Sequence, residues 1–183
     1  MSHGAKSATI ERLHDCLSRH APMGSVTVLR DFHAENLIWL PDRQAAARVG
    51  LLDFQDAVIG HPAYDLVSLT RDARRDLGPG VSAQTTERYL AGSTLDREVF
   101  LTAAAVLSVQ RNLRILGVFV RLAFVAQKPH YLDLMPRVWG HLMRDLAHPV
   151  LRNLARVITD SLPPPEAPLL TALKAACPKL PPH

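Results

Sequence analysis

The stretch Leu29-Arg30-Asp31-Phe32-His33-Ala34-Glu35-Asn36-Leu37, read together with Leu51-Leu52-Asp53-Phe54-Gln55-Asp56, organises the rest of the chain around it. Leu37 to Leu40 and Arg48 to Leu52 are short runs rich in strand-forming residues, and Pro41-Asp42-Arg43 between them has turn chemistry. The pattern predicts a small β-hairpin. A hairpin brings its two ends together, so Asn36 at the entry and Asp53 just past the return strand are expected to converge. Asp31 stands further back on the same entering loop.

Outward from this hairpin the chain reads as helix. Upstream, Ile10, Leu13 and Leu17 recur at helical spacing and predict an amphipathic helix over Thr9 to Arg19, ended by Pro22 and Gly24. Ser25 to Leu29 predicts a further short strand. Downstream, Pro62 suits the first position of a helix running from Ala63 to Leu77, where Gly78-Pro79-Gly80 breaks it. Ser82 is expected to cap a helix to Ala91. Asp96 opens a long helix that could run to Gln127, with Ser93 or Thr94 as alternative caps. Tyr131 to Leu146 and Pro149 to Thr159 supply two more. Pro163 to Pro168 is expected to end compact structure, and the Pro-rich residues 178–183 to be disordered. The expected organisation is a helix and lead-in over 1–24, a mainly α body with one hairpin over 25–160, and a tail over 161–183.

Composition narrows the class. At 183 residues the chain suggests one domain, and 48% hydrophobic with 21% charged residues is ordinary for a globular protein. Only 5% of residues are aromatic while Leu and Ala recur, which favours helix over sheet. The net charge of +4 is spread along the chain without a basic run, so no nucleic-acid partner is implied. The first residues carry no secretion signal, and the apolar run Val99 to Val109 is too short to span a bilayer, so no membrane association and a cytoplasmic location are expected. Cys16 and Cys177 match no metal-ligand spacing and read as reduced thiols.

The converging residues carry the chemistry. One carboxylate and one amide oxygen suit Mg²⁺, which prefers oxygen ligands and completes its shell with water and substrate phosphates. Asp31, free on the loop, could accept a proton from an attacking hydroxyl. Asn36 follows Asp31 by 5 residues and Asp53 follows Asn36 by 17. That order of acid, amide and downstream acid belongs to phosphoryl transfer.

These residues resemble the catalytic loop and metal-binding segment of the aminoglycoside phosphotransferase-like kinases, whose usual pattern is His-Gly-Asp-x-His-x-x-Asn followed by Ile-Asp-Phe or Ile-Asp-Trp. Gly60-His61-Pro62-Ala63-Tyr64-Asp65-Leu66 resembles the same family's Gly-Asp-Pro-x-x-Asp-Leu element. The resemblance implies Asp31 as catalytic base, Asn36 and Asp53 as Mg²⁺ ligands, ATP as phosphate donor, and Asp65 as a brace on the catalytic loop. Leu29-Arg30 stands where the family has His-Gly. With Gln110-Arg111-Asn112-Leu113-Arg114-Ile115-Leu116-Gly117, the set is similar to a branch of kinases acting on the anomeric hydroxyl of N-acetylmuramate and N-acetylglucosamine in cell-wall recycling. The fold implied is the C-terminal lobe of a protein kinase-like structure. A β-rich N-terminal lobe with a phosphate-covering loop is not expected in the 30 residues before Asp31, and Lys6 is expected to lie in a tail. The isolated chain is therefore expected to be nearly inactive, with a homo-oligomer or a separate N-lobe chain as conceivable partners.

Blander readings stand beside each assignment. Asp31, Asn36 and Asp53 could be turn residues taken singly. His33 reads as structural, bonding the loop backbone; Asp56 as either a supporting group or a loop carboxylate; Asp65 also as a first-turn acid. Arg111, Arg114 and Arg121 fall within an arc of about 80° on the long helix. They form either a solvated basic face or a wall recognising an anionic sugar such as one bearing a lactyl group. A metal hydrolase built on Asp31, His33, Asp53 and His61 is a further chemical possibility. A non-catalytic remnant that binds or self-associates, through apolar surface around Trp39 and Leu40, is the main alternative to the kinase.

Overall fold

A computed structural model describes residues 3–178 of the chain. Its order is α1 (His3–His20), β1 (Val26–Val28), β2 (Leu37–Trp39), β3 (Val49–Leu51), β4 (Val58–Gly60), α2 (Ala63–Thr70), α3 (Val81–Ala91), α4 (Arg97–Phe124), α5 (Met135–Leu146), α6 (Arg152–Ser161) and α7 (Ala167–Ala176), with short 3-10 turns between. The expectation of a mainly α chain holds. The contacts divide it into two units, one of residues 17–107 and one of residues 1–16 with 108–183.

In the 17–107 unit the strands form two separate antiparallel pairs where a single hairpin was expected. β2 pairs with β3 as foreseen, with Leu37 opposite Leu51 and Trp39 opposite Val49. β1 pairs with β4, a strand the sequence did not announce, with Val26 opposite Gly60 and Val28 opposite Val58. Gly24 has a second role besides ending α1: a Cβ there would collide with the carbonyl of Gly60, so only glycine lets the chain enter β1 this closely. α2 stops at Thr70, seven residues short of the expected Leu77. Asp72, buried, takes the Arg74 N–H at 2.9 Å, a side-chain-to-backbone turn that competes with the helix. α3 begins at Val81 on a left-handed Gly80 with φ of 78°. Ser82 does not cap it; its hydroxyl receives Arg71 Nη1 at 2.9 Å. Asp96 does cap α4, its Oδ1 accepting the Val99 N–H at 2.9 Å. Val28, Ala63, Val67, Leu90 and Phe100 are buried, and Tyr89 stacks on Phe100 at 5.4 Å.

In the other unit, α5 packs with α6 and buries Val138, Leu142, Leu154 and Ile158. The expected helix from Tyr131 starts as a 3-10 turn over Pro129–Leu134, with Tyr131 against Phe119 at 5.5 Å. A polar seam crosses this core: Ser108 Oγ donates to Asp145 Oδ2 at 2.5 Å and receives Asn112 Nδ2 at 3.2 Å. Order does not stop at Pro163–Pro168. α7 follows, contacts the Pro129–Leu134 turn and pairs Lys174 with Asp133. The expected disorder of the terminus falls, from residue 179 on, outside the described residues. Lys6 lies within α1 instead of in a tail. α4 is longer than its apolar run suggested and passes for a membrane span by length and hydropathy, yet 56% of that window is covered by protein. Such burial is what a core helix shows.

Candidate active site

The site is built from the backbone of one loop and the helix beneath it. Arg30 has φ of 71°, in the left-handed region that a side chain disfavours. The Asp31 N–H donates back to the Leu29 carbonyl at 2.9 Å, making a γ-turn of the rare, strained hand around Arg30. Three side-chain bonds hold it. Asp65 Oδ2 accepts the Leu29 N–H at 2.7 Å and Oδ1 accepts the Arg30 N–H at 3.0 Å. Ser68, fully buried one turn further along α2, donates its hydroxyl to the Arg30 carbonyl at 3.3 Å. The strain is local and its restraints converge from one helix, an arrangement common at functional sites.

Beyond the γ-turn, Ala34–Asn36 is a 3-10 turn and Asn36 is its last residue before β2. Asn36 Nδ2 donates to the Asp31 carbonyl at 2.9 Å and lies 3.5 Å from His33 Nε2. The amide nitrogen is thus committed inside the loop, which leaves Oδ1 as the atom for a cation. Across the hairpin the Leu52 N–H donates to the Asn36 carbonyl at 2.9 Å, so Asp53 is one residue beyond a direct backbone bond to Asn36. Asp53 itself is left-handed, with φ of 55°, and Gln55 Nε2 donates to its carboxylate. Asp31 and Asp53 are both exposed. One free amide oxygen and one exposed carboxylate at neighbouring backbone positions fit an oxygen-seeking divalent ion that keeps most of its water.

His33 bonds no backbone group in the way expected; its Nε2 faces Asn36, and its Nδ1 is buried without a partner. Asp56 is exposed in the turn after Asp53. The metal-hydrolase set is not formed: among the described residues no three His, Cys, Asp or Glu side chains gather where they could hold an ion. Arg111, Arg114 and Arg121 lie in the other unit and differ among themselves, Arg111 being buried and the other two exposed. The structure adds residues that sequence reasoning passed over. Glu35 on the loop pairs with Arg74 at 3.1 Å, tying it to the segment after α2. Ser68 and Gln55 carry no signal of their own, because isolated hydroxyls and amides are common on any helix or turn.

The pattern of the phosphotransferase enzyme family matches residues 3–101, and the chain belongs to that family. Its mainly α structure with small sheets agrees with a part of a kinase-like fold. The chain is 52% identical over 126 residues to an N-acetylmuramate/N-acetylglucosamine kinase of Caulobacter vibrioides, a match covering 68% of the chain and 35% of that relative. Kinases of the same name from Pseudomonas aeruginosa and Pseudomonas putida are 32% and 30% identical, over 87% and 85% of the chain and 48% and 47% of their own lengths. The chain therefore spans between about a third and about a half of the curated relatives it matches.

Proposed function

We propose that this chain supplies the catalytic loop and metal-holding segment of an ATP-dependent kinase for an amino sugar of the N-acetylmuramate or N-acetylglucosamine class, acting in cell-wall recycling in the cytoplasm. The observation that carries the reading is the grip of Asp65 and Ser68 on the strained turn at Arg30, which presents Asp31 and orders Asn36. Asp31 takes the proton from the sugar hydroxyl as it attacks the terminal phosphate. Asn36 Oδ1 and Asp53 would hold Mg²⁺, which supplies charge neutralisation for the phosphates. Gln55 fixes the Asp53 carboxylate.

The test uses two proteins. The chain joined to the part of the Caulobacter vibrioides relative that the match leaves uncovered is expected to transfer phosphate from ATP to either sugar, and Asp31→Asn in it to lower kcat by at least about a hundredfold. The 183-residue chain alone is expected to turn over negligibly. Full activity of the Asp31→Asn protein would end the proposal for Asp31.

A second reading is favoured by one observation. Ile38, Trp39, Leu52, Phe54, Val58 and Ile59 are all more than two-fifths exposed, with Trp39 at 61% and Phe54 at 59%. Apolar residues presented this densely mark a contact surface. The chain alone then acts as a binding or self-associating module, and sedimentation at rising concentration distinguishes a monomer from a homo-oligomer.

A further inference from the structure

Asp65 holds the catalytic loop from the first turn of α2, and His61 stands just ahead of that turn. Pro62 has no N–H, so the first donor needing a partner belongs to Ala63. His61 Nδ1 accepts it at 3.2 Å, and the His61 carbonyl accepts the Tyr64 N–H at 3.0 Å. Pro62 at the N-cap already has helical φ and ψ, and His61 before it supplies the side-chain acceptor that Ser, Thr, Asp or Asn usually gives. The role requires a lone pair on Nδ1. Its ring is partly buried beside a cavity of about 130 Å³ shared with Val28, Arg30, Val58, Gly60 and Tyr64, and its centroid lies 6.5 Å from that of Phe100.

We propose that His61 is a positioning residue for the catalytic loop, competent only as the neutral imidazole, and that its protonation frees the start of α2 and weakens the hold of Asp65 on Leu29 and Arg30. Protonation turns Nδ1 from acceptor to donor and sets it against the Ala63 N–H. It also places a cation at a helix N-terminus, where the aligned peptide dipoles disfavour one. The groups facing the ring do not relieve this. Arg30 on the loop lines the same cavity with like charge, and both oxygens of Asp65 are already bonded to Leu29 and Arg30. Burial lowers the His61 pKa from the ordinary imidazole value, so the neutral form is the native one. The unfolded chain thus takes up this proton at higher pH than the folded one. The contribution is complete above about pH 6.5 and is lost as pH falls through the lower folded value.

The geometry stands without the kinase reading; only the word catalytic rests on it. The test is hydrogen exchange by NMR on the 183-residue chain, comparing wild type with His61→Asn, whose amide oxygen accepts a hydrogen bond at every pH. In wild type, protection of the Leu29 and Arg30 amides, corrected for intrinsic exchange, is expected to fall about tenfold between about pH 7.5 and about pH 5. In His61→Asn it is expected to stay level, as are the Val138 and Leu142 amides of α5 in both proteins. His61→Asp serves as a second non-titrating acceptor should the Asn variant fold poorly. Level protection of Leu29 and Arg30 in wild type, an equal fall in the variant, or a fall shared by Val138 and Leu142 would each overturn the proposal. No sugar or nucleotide enters the measurement, so loss of the phosphotransfer reading leaves this result standing.

Discussion

Arg30 and Asp65 are two halves of one device. A side chain at left-handed φ costs about 1–2 kcal/mol, and the two charge-assisted bonds from Asp65 offset it, since bonds to a charged acceptor contribute about 1.5–3 kcal/mol each. Two predictions belong at this scale. Asp65→Asn keeps the shape but has one acceptor oxygen for two N–H groups, so one bond weakens and the other is lost against the new Nδ2 donor, and stability is expected to fall by at least about 2 kcal/mol in denaturant unfolding. Arg30→Gly removes the left-handed penalty and adds backbone entropy to the unfolded chain, so a net gain of about 0.5 kcal/mol is expected. The same residues show what could be read beforehand. Asp31, Asn36, Asp53 and Asp65 announce themselves because their chemistry is scarce and their spacing ordered. The strain at Arg30 is silent, because left-handed backbone is normally signalled by glycine and an arginine gives no such sign. No capping role was read for His61, since nothing local distinguishes an imidazole that caps from one that is idle.

Among the elements, those with a buried stripe were legible and those without were not. α4 could be placed from Asp96 onward because its apolar positions repeat over many turns. β4 could not: it is three residues long, and Val58 and Ile59 are exposed at 48% and 58%, so no alternation exists to read. α2 was overextended because the periodicity continues past Thr70 while Asp72 diverts the backbone. α7 was missed because three prolines and an acid precede it, although Pro168 sits where a helix accepts one. Element-level predictions follow from the restraints. Gly24→Ala forces β1 away from β4 and is expected to destabilise the 17–107 unit by more than about 2 kcal/mol, seen as a lower unfolding midpoint. Ser108→Ala leaves Asp145 without its hydroxyl donor in a buried seam and is expected to cost about 1–3 kcal/mol by the same measurement.

At the scale of the molecule, the sequence conveyed the helical class and the family but not the division into two units, because α4 runs through the boundary between residues 107 and 108 without a break in pattern. The functional account rests on a loop whose strained turn Asp65 and Ser68 hold, and on the backbone bond that sets Leu52, the residue before Asp53, against Asn36. The most direct test is paramagnetic. Mn²⁺, an octahedral oxygen-seeking substitute for Mg²⁺, is titrated into the isotope-labelled chain and line broadening is read residue by residue. Selective broadening of the Asn36 side-chain amide and the Asp53 backbone amide, lost in Asp53→Ala, is the result expected. Broadening elsewhere with residues 36 and 53 untouched, or the same broadening after Asp53→Ala, would contradict it.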